Sequence, residues 1–462
     1  MTNMKKCIIN IIKTAGLSLV FALSLSSCEK WIDTSLNIDP DAPADVPMKL
    51  MLPAIEQKLG YNMGGNEIVR TTAIWMQQFD GVDRQSFTEA TYQLVPGDVN
   101  NLWNAFYPGI LMNSKVLLNK AEASDSPHNA GVARVLIGTT LGMATDLFGD
   151  MPFSEAFRGN ENILTPGFDT QEQIYDTLFT ILDDAIADLS AASDPIGIGG
   201  DVIYAGSAAK WKKAANSIKA RHLLQLSLVN GNAACTAALA AAAGGFSSNA
   251  DDFNVPWNID NHNPIFQFME QRGDVRMGAS LVNLMKASND PRLPFYAEKD
   301  GDGEYTGSIA GSQNDLASKP GLYVAGATAP TVIMSYAELK FIEAEANFRL
   351  GQTGPAQTAF QAAVAASVLK VTGAANTAWL DANINGVTVT LELIMAQKYI
   401  ATFGNNQAFA DYRRTGLPTM PVPIGAVIPE MPVRFPYAQE EITYNGANVP
   451  AVTLSTKLWW DR

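Results

Sequence analysis

The sequence predicts an all-α protein with paired helices as its scaffold and a loop-rich insert, and three observations carry that prediction. Long Ala- and Leu-rich segments set apolar residues at helical spacing. Alternation of the strand kind is nearly absent. In residues 337–367, Ala344, Gly351, Ala356, Phe360 and Ala363 match the small and aromatic positions that let two helices pack closely in a tetratricopeptide-like repeat, although the early aromatic positions of that repeat do not match.

Taken in order, the chain begins with Lys5 and Lys6, an apolar run from Ile8 to Leu25 broken only by Lys13, and the small residues Ser26 and Ser27 before Cys28. This is a secretory signal pattern over residues 1–27. The uncharged stretch of residues 14–28 falls short of the ~20 residues a spanning helix needs. Leu25-Ser26-Ser27-Cys28 has the form of a bacterial lipobox, which makes Cys28 the lipidated first residue of the mature chain. Cysteine usage agrees, because Cys7 leaves with the signal and Cys235 has no partner for a disulfide. Residues 28–46, rich in Asp, Pro and Asn, read as an extended tether, and 47–462 as one helical domain.

Within that domain, apolar spacing predicts helices over 48–59, 66–79, 98–121, 129–147 and 170–190. Ser207 is a plausible N-cap for a helix of about six turns, with Trp211, Ala215, Ile218, His222 and Leu226 on one stripe. Further helices are expected over 232–243, 276–287, 332–350, 354–370, 387–403 and 406–413. Two regions break the pattern: a loop-rich insert over about 244–330, and a Pro- and aromatic-rich tail from 415 onward. Loops of that length in a compact protein usually carry function.

Charge and composition exclude several classes. Against 46 acidic residues stand 32 Lys or Arg, a formal net charge of −14, which becomes −17 when the three lysines of residues 1–27 leave; nucleic acid is therefore not an expected partner. The only histidines, His128, His222 and His262, stand in no metal-ligand spacing, so no metal is expected. Gly197-Ile198-Gly199-Gly200 lacks the strand and third glycine of a dinucleotide loop. Glu343 with Glu345, and Asp183 with Asp184, sit too close in sequence to share a helix face, and no nucleophile arrangement appears. Asp300 to Glu304 resembles the first half of a calcium loop but lacks the downstream bidentate acid. The protein is not expected to be an enzyme.

What remains is a set of aromatics beside amides. Flat rings cover sugar C–H faces and amides bond hydroxyls, the pairing a neutral carbohydrate site needs. Trp103, spaced with Phe106, Tyr107 and Ile110, reads as core. Trp75, Gln78, Phe79, Arg84, Trp257, Asn258 and Asn263 are the candidate ligand-binding residues.

Several stretches together resemble the SusD/RagB family of Bacteroidetes surface lipoproteins, in its SusD-like branch. They are the lipobox with its tether, Leu147-Phe148-Gly149-Asp150-Met151-Pro152, Asn289-Asp290-Pro291-Arg292-Leu293, Tyr336-Ala337-Glu338-Leu339, Tyr412-Arg413-Arg414-Thr415-Gly416 and the terminal Leu458-Trp459-Trp460-Asp461. The resemblance implies a tetratricopeptide-like scaffold, a lipid anchor in the bacterial outer membrane facing the cell surface, and a SusC-like TonB-dependent transporter as partner. It implies capture of an oligosaccharide for import, with no catalysis and no obligatory cofactor. Its alternatives are capture of a peptide, as by RagB-like members, or a transporter lid without a cargo site of its own. Glu343 and Glu345 are expected to pair with Arg413 and Arg414 inside the scaffold, where they serve architecture.

Overall fold

The computed structural model describes Met4 and residues 45–461; Cys28, the signal segment and nearly all of the tether lie outside the described residues. From Met48 onward the chain forms one unit. Its longer helices, numbered in chain order, are α1 (Met48–Met63), α2 (Met112–Ala123), α3 (Pro127–Phe148), α4 (Gln171–Asp188), α5 (Ala208–Gln225), α6 (Ser227–Ala242), α7 (Pro264–Gln271), α8 (Ala279–Ala287), α9 (Tyr336–Arg349), α10 (Thr353–Thr372), α11 (Leu391–Ala401) and α12 (Gln407–Thr415). Four short strands, β1 (Phe79–Gly81), β2 (Phe253–Val255), β3 (Val275–Met277) and β4 (Thr331–Met334), make two antiparallel pairs, β1 with β3 and β2 with β4.

The scaffold is a series of antiparallel helix pairs, α3 with α4, α5 with α6 and α9 with α10. Local sequence explains each start. Thr170 caps α4 in a capping box with Gln173, and Ser207 accepts from the Lys210 amide at the head of α5. Between α9 and α10, Gly351 takes φ +72°, a turn conformation that suits glycine. Ala344, Ala356, Phe360 and Ala363 are all buried together with Phe341, so the small residues do let the two helices approach closely.

One buried charge network ties this scaffold. Arg414 on α12 grips Glu345 on α9 through both guanidinium nitrogens, Nη2 to Oε2 at 2.6 Å, and also bonds Asp411 at 3.0 Å and the Ser227 hydroxyl at 3.1 Å. Lys398 on α11 joins through Asp411 at 2.8 Å, and Arg349 through Glu345 at 2.6 Å. Burial alone would raise the Glu345 carboxyl, but Arg414, Arg349 and Lys398 bring it down to about 2. The other half of the expected pairing differs. Arg413 donates to the carbonyls of Asp146 and Val433 and lies between the rings of Phe409 and Trp460, while Glu343 pairs with Lys340 at the surface.

The tail returns to this core. Trp460 donates to Asp146 at 3.0 Å, the Phe435 amide donates to Leu147 O at 2.8 Å, and the Trp459 amide donates to the Gln171 side chain at 2.8 Å. Gly149 at φ +78° ends α3 so that Asp150 accepts from the first amide of α4, at 2.7 Å. His222 is buried against Gly142, where an added Cβ would stand 2.4 Å from its Nε2.

The helices expected over 276–287 and 332–350 start late, at Ala279 and Tyr336, because β3 and β4 take their first residues, and two others ran too long for physical reasons. The helix expected over 66–79 stops at Trp75, because Gln77 turns to φ 52° and Phe79 to Gly81 pair with β3 instead. The helix over 98–121 is interrupted at Ala105–Leu111, a π-helical stretch holding Pro108, whose missing N–H removes an α-helical bond. The insert is more ordered than its composition implies, since β2, β3, α7 and α8 all fall inside it.

Glu56 on α1 is fully buried and accepts from the Val202 amide at 2.8 Å. Burial first, then the neighbouring Asp201 carboxylate, push its carboxyl up to about 10. Asp201 is already committed to the amides of Ile203, Tyr204 and Gly206 and to the Trp211 indole. Because the folded value lies above the ordinary 4.5, this group's contribution to stability is complete below pH 4.5 and is lost as pH rises toward 10. Glu56→Gln is therefore predicted to unfold at higher urea than the parent at pH 7, by about 1 to 3 kcal/mol, with the difference closing below about pH 4.5. Arg414→Ala, which leaves Glu345 buried without its main counter-charge, is predicted to cost about 3 to 5 kcal/mol in the same assay.

Candidate functional site

The site is built where α1, the segment leading into the π-helical stretch, the insert and the tail meet. The short helix Asn100–Asn104 runs directly into Ala105–Leu111, and the wider π geometry places Asn104 on a ridge between two hollows. π-helical stretches recur at functional positions in proteins generally.

The first hollow, about 410 Å³, lies between α1 and the insert, with Tyr61, Asn62, Asn101, Asn104, Trp257 and Asn261 in its lining. Trp257 is only 7% exposed. Its indole N–H donates to the Thr331 hydroxyl at 3.0 Å, and its ring meets Tyr61 edge-on at 6.4 Å. Tyr61 is 43% exposed and offers the freer ring. Asn261 donates to Gln57, and both side chains belong to the lining.

The second hollow, about 430 Å³, is more apolar, with Trp103, Tyr107, Phe157 and Tyr444 as its rings. Trp103 is buried as expected, yet one edge lines the hollow, and its N–H donates to Glu441 at 3.2 Å. Tyr107 donates to Pro152 O at 2.7 Å; burial first and Glu441 second hold its phenol well above the ordinary tyrosine range. Tyr444, 79% exposed, stands at the mouth. Asn104 donates to Glu440 at 2.8 Å and so fixes the ridge to the tail.

Of the residues expected from sequence, Trp257 lines the first hollow. Arg84 lines a neighbouring polar cleft of about 250 Å³ that shares Tyr61 with that hollow; it bonds both Asp274 oxygens and the Arg272 carbonyl. The others have different work, which corrects the reading of them as ligand contacts. Trp75 is 0% exposed, packs edge-on against Phe409 and Phe435, and donates to Glu89 O. Gln78 is buried and donates to Tyr399 O at 2.8 Å, while Phe79 packs on Phe403 within β1. Asn263 is buried as the cap of α7, accepting from the Ile265 and Phe266 amides and donating to Ala329 O. Asn258 is exposed but closes its own turn on the Asp260 and Asn261 amides, at 2.9 Å each. Gln78 and Asn263 both donate to backbone carbonyls, because a buried amide N–H without water must find a protein partner.

Tyr61, Asn104, Trp103, Tyr107 and Tyr444 are the lining residues that sequence spacing did not single out as ligand contacts. Asp300 closes its own turn: its oxygens accept from the Asp302 and Glu304 amides and the Thr306 hydroxyl. Among the described residues, no three His, Cys, Asp or Glu side chains converge as a metal-ligand set.

The scaffold of helix pairs thus carries two hollows lined by rings and amides. Residues 40–438 match the SusD-like family model described as starch-binding and associating with the outer membrane, and the chain belongs to that family. A SusD/RagB family protein from Bacteroides thetaiotaomicron is 25% identical, with a TM-score of 0.75 over 90% of this chain and 99% of that one. A chitin-binding SusD homolog from Flavobacterium johnsoniae is 24% identical, with a TM-score of 0.76 over 90% and 98%. A SusD homolog from Bacteroides fragilis is 23% identical, with a TM-score of 0.76 over 90% and 100%. These last two establish likeness of fold. No curated protein matches the chain. No helix among the described residues is long and apolar enough to cross a membrane.

The placement of Trp75 is directly testable. Trp75→Phe loses the bond to Glu89 O and part of the core, and is predicted to lower stability by about 1 to 3 kcal/mol while leaving the affinity for any saccharide ligand unchanged. A folded Trp75→Phe protein with weakened sugar binding in calorimetry would contradict the core role.

Proposed function

We propose that this protein is a surface lipoprotein, anchored through Cys28, that captures oligosaccharide and passes it to a SusC-like TonB-dependent transporter in the outer membrane. The observation that carries the reading is the pair of hollows meeting at Asn104, one with the open ring of Tyr61 beside several amides and the other with the open ring of Tyr444 beside an aromatic wall. A sugar ring has apolar C–H faces and a polar rim, so a stacking ring with amides at its edge matches both. The family description, starch-binding and associating with the outer membrane, supports the same reading, as does the fold shared with a chitin-binding homolog. The two hollows together suit a ligand of several linked sugar units better than a monosaccharide, since each is large enough for a ring of its own.

Binding here needs no reaction chemistry, and affinity comes from the few rings left open. Tyr61→Ala removes the freer ring of the first hollow without touching the Trp257–Thr331 bond. It is predicted to weaken oligosaccharide binding by about 1 kcal/mol or more in calorimetry, with unfolding unchanged within about 0.5 kcal/mol. An unaltered affinity would remove the first hollow from the site.

A further inference from the structure

We infer that the hollow walled by Trp103, Tyr107, Phe157 and Tyr444 selects a protonated amine, so that the saccharide it holds carries an unacetylated amino sugar. This rests on the glycan reading of the same site and names the class of sugar.

The rings alone would favour a cation only modestly, but three carboxylates, Glu155, Glu440 and Glu441, share the lining. Each is held by neutral donors. Glu155 accepts from the Gly167 amide at 2.8 Å, Glu440 from Asn104 at 2.8 Å, and Glu441 from the Trp103 indole at 3.2 Å and Asn445 at 2.7 Å. None of the three takes part in a salt bridge among the described residues. Neutral donors orient a carboxylate but leave its charge in place, so the hollow keeps a negative potential that no direct ion pair cancels, with Arg158 acting on Glu155 only at longer range.

Two neighbouring cations define the limits of that potential. Arg158 is taken by Glu161 at 2.5 Å. Lys115 stands with Nζ 5.4 Å from the Phe157 ring centroid, which shows that this wall accepts an ammonium group against an aromatic face. A ligand ammonium inside would meet aromatic faces and free carboxylate charge together, an arrangement that favours it over a neutral amide and repels an acidic sugar.

The test is calorimetry of the full chain in detergent with three probes at pH 5.5: a β-1,4-linked glucosamine hexamer, the matching N-acetylglucosamine hexamer, and a lysine-containing hexapeptide. The glucosamine hexamer is expected to bind at least ten-fold tighter than its acetylated counterpart, and the gap should shrink on raising salt. The double variant Glu440→Gln with Glu441→Gln should reduce the gap to less than three-fold, chiefly by weakening the glucosamine hexamer. If that variant does not fold, Glu155→Gln, at an exposed position, should narrow the gap by itself. Equal or tighter binding of the acetylated hexamer overturns the amine selectivity and leaves the glycan reading standing. Binding of the peptide alone, or of none of the three, overturns both.

Discussion

The structure depends on a buried ion pair. Arg414 and Glu345 have no solvent exposure, and the bidentate grip between them fixes α12 against α9. Removing two charges from water is costly, and the geometry offsets that cost because Asp411, Lys398, Arg349 and Ser227 pair most of the remaining donors and acceptors, with Arg414 Nε left over. The same α12 presents Phe409 to Trp75 and Arg413 to the last turn of α3. A shift of α12 would therefore move the amino-terminal helices, the scaffold and the tail at once.

The site follows from that rigidity. With α3 and the tail locked through Asp146, Phe148 and Trp460, the short helix carrying Tyr444 is brought beside the π-helical stretch. The strand pairs do the same for the insert: β2 with β4 brings Trp257 to the end of α1, and β1 with β3 brings Asp274 beside Arg84. Apart from Tyr61, in the last turn of α1, the rings that line the hollows thus stand on loops and short helical segments that a helical frame holds in place. Pro108 contributes to both, breaking α-helical bonding and widening the chain next to Asn104.

The scaffold was largely legible in sequence because it is local. Periodicity locates α3, α4, α5, α9 and α10, and caps such as Ser207 and Thr170 mark where they start. The small residues of α9 and α10 foretold their close packing. Legibility failed where a distant segment decides the outcome. Trp75 beside Gln77 and Gln78 has the look of a sugar platform, but those amides point to Pro421 O and Tyr399 O, more than 300 residues away. The site's own residues lie at positions 61, 103–107, 257 and 444, and no window of sequence contains them together. Trp257 was recognisable because its loop is rich in amides, whereas Tyr61 and Tyr444 sit in helices whose periodicity says nothing of an open ring.

A crystal structure of the protein with a bound oligosaccharide tests the central claim most directly. The account predicts sugar density running across Asn104, with one ring against Tyr61 and Trp257 and another between Trp103 and Tyr444. Density seated elsewhere, such as along the exposed faces of α9 and α10, with both hollows empty would contradict it.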